Sequence, residues 1–88
     1  MKMFATVEIT KGWETWNKMA EEMNSEMESE GMKFIFKGCD MDEKKLHLII
    51  EVESMEKAKE FSTRPHIVSR RVEAGAVVES TIMIPLKN

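Results

Sequence analysis

The apolar residues of this chain recur with a period of two, then near 3.6, then two twice over, then 3.6, then two, and few folds satisfy that order. Met3, Ala5, Val7 and Ile9 alternate with Phe4, Thr6 and Glu8, which predicts a half-buried first strand. Thr10 is a candidate cap and Gly12 a break before the first helix. From Trp13 to Met27, the residues Trp13, Trp16, Met19, Ala20, Met23 and Met27 fall within a stripe of roughly 120° on an amphipathic helix. Gly31 stops it. Met32 to Lys37 alternates again, with Met32, Phe34 and Phe36 on one face and Ile35 on the other. Lys45 to Val52 does the same, and the polar link Gly38 to Lys44 makes the two runs an antiparallel hairpin. Ser54 caps a second helix whose apolar side is Met55, Ala58 and Phe61. Pro65 ends that helix near Thr63 and opens a further helical turn, with Val68 and Val72 inward, up to Gly75. Val77 to Ile84 is the last strand, closed by Pro85.

The resulting order is βαββαβ, the split βαβ arrangement of ferredoxin-like α+β folds. One domain spans residues 1–88, because so short a chain cannot build two cores. Four antiparallel strands are expected, with the helices on one face. The covered face is assigned to Met3/Ala5/Val7, Phe34/Phe36, Leu46/Leu48/Ile50 and Ser80/Ile82/Ile84, a nearly apolar set. The opposite face then carries Phe4, Ile35, His47, Ile49 and Met83 beside Thr6, Glu8, Lys37, Glu51 and Thr81. Such a mixed face suits a sheet packed on its symmetry mate, apolar at the centre and polar at the rim. A homodimer through Ile35, His47, Ile49 and Met83 is the expectation.

Composition narrows the function classes. With 42% hydrophobic and 33% charged residues the chain is neither disordered nor repetitive. Its longest apolar runs are three residues, as in Leu48-Ile49-Ile50, so no membrane span is expected. Glu8 interrupts the only N-terminal apolar stretch, so no signal peptide is read there. Lone Cys39 has no partner for a disulfide and suits a reducing cytoplasm. A net charge of −3 argues against nucleic acid or an anionic membrane as partner. The charge is uneven: residues 12–30 hold six glutamates against Lys18, while residues 64–71 hold three arginines and no acid.

With the element order in hand, the chain resembles the dimeric alpha–beta barrel superfamily of ferredoxin-like proteins. The resemblance lies in the alternation Phe4 to Ile9, the helix Trp13 to Met27, the stretch Ala58-Lys59-Glu60-Phe61-Ser62-Thr63-Arg64-Pro65-His66 and the segment Glu73-Ala74-Gly75-Ala76-Val77. It covers nearly the whole chain as a pattern of elements, and is nearest to small uncharacterised bacterial members of that group. It implies a homodimer whose sheets face each other, with a cavity in each subunit between sheet and helices. The superfamily includes cofactor-independent monooxygenases, haem-degrading enzymes and isomerases, so fold does not choose the chemistry. The haem-degrading members use an Asn, a Trp and a His, and here no Asn lies on the first strand.

The inner face is the foremost candidate site. Trp13, Trp16, Met23, Phe34 and Phe61 converge there, and nine methionines supply adaptable walls. Ala5 and Ser80 are small and leave room, unless the two Trp rings fill it. A small apolar or amphipathic molecule, fatty-acid-like among the candidates, is the expected ligand, with Arg64, His66 or an indole holding a polar head. The other reading is a cofactor-independent monooxygenase or isomerase acting on an aromatic or polyketide-like substrate. His66, rigidly placed after Pro65, is its candidate base, the other reading being a surface histidine at a helix start. His47 reads as a satisfied interface histidine rather than a ligand. Asp40, Asp42 and Glu43 lack the turn glycine and distal Glu of a calcium loop and read as a solvated turn. No metal spacing is present, and no cofactor is implied. The third strand, Leu46 to Glu51, lacks the aromatics with which RNA-recognition modules stack bases.

Overall fold

The computed structural model describes residues 1–87. Its elements are β1 (Lys2–Ile9), α1 (Trp13–Glu22), α2 (Asn24–Ser29), β2 (Lys33–Cys39), β3 (Lys45–Glu51), α3 (Met55–Ser62), α4 (Pro65–Glu73) and β4 (Ala76–Leu86). The strands form one antiparallel sheet in the order β2-β3-β1-β4. The central pairing of the sheet puts β1 and β3 side by side, as the split βαβ order requires. Their inward residues Met3, Ala5, Val7, Leu46, Leu48 and Ile50 are buried with Trp16, Met19, Met23, Met27, Ala58, Phe61 and Ile67 of the helical layer.

Each helical stretch is two helices. In the first, the chain pauses at Met23 (φ −85°, ψ −6°) while the backbone bonds Met23 N–H to Met19 O and Met27 N–H to Met23 O, both 3.0 Å, run through the joint. The apolar stripe therefore continues across it, and Met27 stays buried. In the second, Pro65 stands at the start of α4, where its missing N–H costs nothing. Ser54 caps α3, its Oγ accepting from Lys57 N–H at 3.1 Å. The start of α1 is served differently from expectation. Thr10 Oγ1 donates to Gly75 O, and the Glu43 carboxylate in the β2–β3 link accepts from Trp13 N–H at 2.7 Å. That link is thus a tie to α1 as well as a solvated turn.

Two bulges change which side chains are covered. In β2, Phe34 faces Ile50 but Phe36 faces Ile49, so Ile35 is an extra residue and Phe36 turns to the open face. Its ring lies over Gly38, where a Cβ would come within 2.8 Å of it. In β4 the shift is larger. Glu8 pairs with Val77 and Thr6 with Ile82, which leaves three more residues on β4 than on β1 between those pairings. The loop is held by Ser80 Oγ donating to Val77 O, by Thr81 Oγ1 donating to Val78 O, and by Glu8 N–H donating to Ser80 Oγ. Beyond it Met83 faces Ala5 on the covered side, while Ile82 and Ile84 lie on the open side, about half exposed at 52% and 46%. The expected assignment of β4 is therefore inverted: Met83 belongs to the core side, and Ile82 and Ile84 do not. In α4 the buried residue is Ile67, and Val72 is exposed rather than inward.

Candidate functional site

Between the sheet and the helices lies a cavity of about 80 Å³. Its floor is Met3, Ala5, Val7, Leu48 and Ile50 from β1 and β3, with Met83 beside Ala5. Its roof is Trp16, Met19 and Met23 of α1 and its joint, Met27 of α2, Ala58 and Phe61 of α3, and Ile67 of α4. Six of the nine methionines line it. Ala5 sits mid-sheet where larger neighbours surround it, and a short side chain there leaves space that the flexible methionines do not close.

Of the expected ligand residues, Trp16, Met23, Phe34 and Phe61 line the cavity. Trp16 is fixed by Phe34 edge-on at 6.1 Å and by Trp13 stacked at 5.9 Å. Trp13 does not line the cavity; its ring stacks on Trp16. Ser80 is likewise elsewhere, spent in the β4 bulge.

One end of the cavity is polar, formed by Ser62, Arg71 and Thr81. The Ser62 hydroxyl donates to Lys59 O at 3.0 Å, and that of Thr81 to Val78 O at 2.7 Å. The Arg71 guanidinium donates to Thr81 Oγ1 at 2.6 Å and to Ser62 O at 3.4 Å. Burial lowers the pKa of that guanidinium, and it has no ion-pair partner among the described residues. Nothing in the sequence sets Arg71 apart from the other arginines of residues 64–71. Arg64 was the expected cation, but it is taken up by Glu60 and Glu30, while the β4 bulge sets Thr81 beside Arg71.

Arg64 and His66 are engaged elsewhere. Arg64 forks onto Glu60 at 2.7 and 2.8 Å and reaches Glu30 at 3.0 Å. Those hydrogen bonds raise the Arg64 pKa further and lower that of Glu60. His66 Nε2 lies 2.6 Å from Glu26 Oε2, with Arg70 at 3.7 Å from the same carboxylate, and its bond and the nearby cations lower the Glu26 pKa. This network ties α2 to α3 and α4 across the roof. His66, the expected base, does not line the cavity, and its side chain is 55% exposed.

On the open face His47 Nε2 lies 2.6 Å from Asp40 Oδ1 and its ring stacks on Phe4 at 6.3 Å. Cys39 packs against the core edge, and burial, aided by Glu43 and Asp40, pushes its thiol pKa up, which disfavours a nucleophilic thiolate. Among the described residues no group of three or more His, Cys, Asp or Glu side chains is placed to hold a metal, and no helix is long and apolar enough to cross a membrane.

No family model and no curated protein matches the chain. Among solved structures it is similar to one described as a structural-genomics protein, YJCS, at a TM-score of 0.58 and 19% identity, covering 99% of this chain and all of that one. That likeness carries the fold over its full length and nothing about activity.

Proposed function

We propose that the protein is a small homodimer that binds an apolar or amphipathic molecule between its helices and its sheet. The observation that carries the binding reading is the methionine-lined cavity. At about 80 Å³ it is smaller than the roughly 150 Å³ engineered cavity that accepts benzene. A ligand of more than a few heavy atoms therefore enters by moving methionine rotamers, which cost little to change. Short alkyl chains and single rings fit this better than a long fatty acid. The lining holds no histidine, carboxylate or thiol, which favours binding over the monooxygenase or isomerase reading, since those reactions need a base at the substrate. Native mass spectrometry of the protein as purified, followed by tryptophan fluorescence titration with short acids, alcohols and arenes, tests it. A carried ligand, or a saturable response of Trp16, is expected. Clean protein with no response to any of them overturns the reading.

The dimer reading rests on the open sheet face. Phe36, Ile49, Phe4 and Ile84 are successive cross-strand neighbours and form one apolar row over all four strands. The row on one side is Gly38, His47, Thr6 and Ile82; on the other it is Lys33, Glu51, Lys2 and Leu86. An apolar centre with an edge carrying both signs of charge is self-complementary, because a two-fold axis can set Lys against Glu. A second copy of this chain is the occupant that such a face fits, in keeping with the resemblance to dimeric alpha–beta barrels. Of the expected interface residues Ile35, His47 and Ile49 lie on this face; Met83 is replaced by Ile84.

A further inference from the structure

We propose that Arg71 makes the cavity a carboxylate site, so that its ligand is a short monocarboxylic acid held by its head group at the Ser62–Arg71–Thr81 end. The inference rests on the cavity being a ligand site and adds the class of ligand. Three observations converge on it.

Everything else in the lining is apolar, so the polar groups are confined to one end. Both hydroxyls at that end already donate to backbone carbonyls, Ser62 to Lys59 and Thr81 to Val78. What they leave for a ligand is acceptor capacity, and the guanidinium uses the Thr81 oxygen itself. A guanidinium has five N–H donors, and two are spent, one on Thr81 Oγ1 and one on Ser62 O. Three remain, on the one group at this end that carries charge.

The contrast with its neighbours shows that the omission is particular to Arg71. Arg64 has two glutamates and Arg70 has Glu26, whereas Arg71 has only neutral oxygens among the described residues. A cation partly withdrawn from water without a counter-charge is unfavourable, and a ligand carboxylate relieves it. The carboxylate is acceptor-only and planar, and pairs with a guanidinium through two parallel hydrogen bonds. A neutral alcohol gains at most a single uncharged bond there. A phosphate monoester brings a second charge, and the lining holds no second cation to meet it. Its alkyl or aryl body would lie along Ala5, Met83 and Phe61, toward the methionines.

The test uses the whole protein and a matched pair of ligands, hexanoate and hexan-1-ol, read by the methionine methyl resonances and by calorimetric titration. Hexanoate is expected to bind at least tenfold more tightly than the alcohol and to shift the methyls of Met3, Met23 and Met83. In Arg71→Met the preference should vanish while hexan-1-ol still binds, which also reports an intact cavity. Arg71→Lys should keep part of the preference, since it retains charge without the fork. Alcohol binding as tight as acid binding in the parent overturns the proposal while leaving the cavity a ligand site, and needs no variant. An acid preference undiminished in Arg71→Met overturns it too. Binding of neither ligand overturns the carboxylate site; the ligand cavity falls with it only if the arenes also leave Trp16 unchanged and the purified protein carries nothing.

Discussion

Single residues here divide by what surrounds them rather than by type. Met27 is 2% exposed and lines the cavity roof, so Met27→Ala removes contacts that nothing nearby replaces. A loss of about 2–5 kcal/mol is expected by urea denaturation, together with acceptance of larger apolar ligands. Glu26 belongs to the polar network over the roof, and its pKa is lowered chiefly by the hydrogen bond with His66. A depressed carboxylate stabilises the fold above its unfolded pKa, near 4.5, and that contribution disappears as pH falls through its lower folded value. Glu26→Gln should therefore lower the melting temperature near neutral pH, with the gap from the parent closing in acid. A gap that stays constant from about pH 6 to about pH 2 would contradict this account.

At the scale of elements, the chain's punctuation was legible and its registers were not. Ser54, Gly31 and Pro65 act where their chemistry placed them: a side-chain cap, a left-handed residue at φ 76° and a first helical position. Ser54→Ala should cost about 1 kcal/mol, measured by thermal melting, and Ser54→Asp should restore most of it. The strands were found, but two of their faces were misread. Period-two alternation assumes an unbroken ladder, and one extra residue at Ile35 or three between Val77 and Ile82 reverses every side chain beyond. No residue in either stretch announces this. The β4 bulge is stabilised by Ser80 and Thr81 hydroxyls bonding local carbonyls, a signal that is visible only once the strands are paired.

For the whole molecule the proposed dimer rests on the open sheet face. Ile84→Lys and Ile49→Lys each put a charge into the central apolar row and should weaken association by several kcal/mol, seen as a one-subunit mass by light scattering at micromolar concentration. Met83→Lys is the informative contrast, because Met83 is on the cavity side and its replacement should lower stability rather than dissociate a folded dimer. A parent that scatters as a single subunit would overturn the dimer.

The amino-acid order alone determined the βαββαβ succession, the amphipathic stripe of Trp13 to Met27 and the placing of Trp16, Met23, Phe34 and Phe61 between helices and sheet, because periodicity and caps act over a few residues and are written locally. Only the tertiary structure decided that Arg71 rather than Arg64 or His66 stands at the cavity, and that Ile84 rather than Met83 faces outward. Arg64, His66 and Arg71 are alike in sequence as members of one basic cluster. They become different when α2 brings Glu26 and Glu30 to two of them and β4 brings Thr81 to the third. Charge pairing between elements far apart in the chain is a property of packing, and packing here turns on a β4 bulge that no local preference encodes.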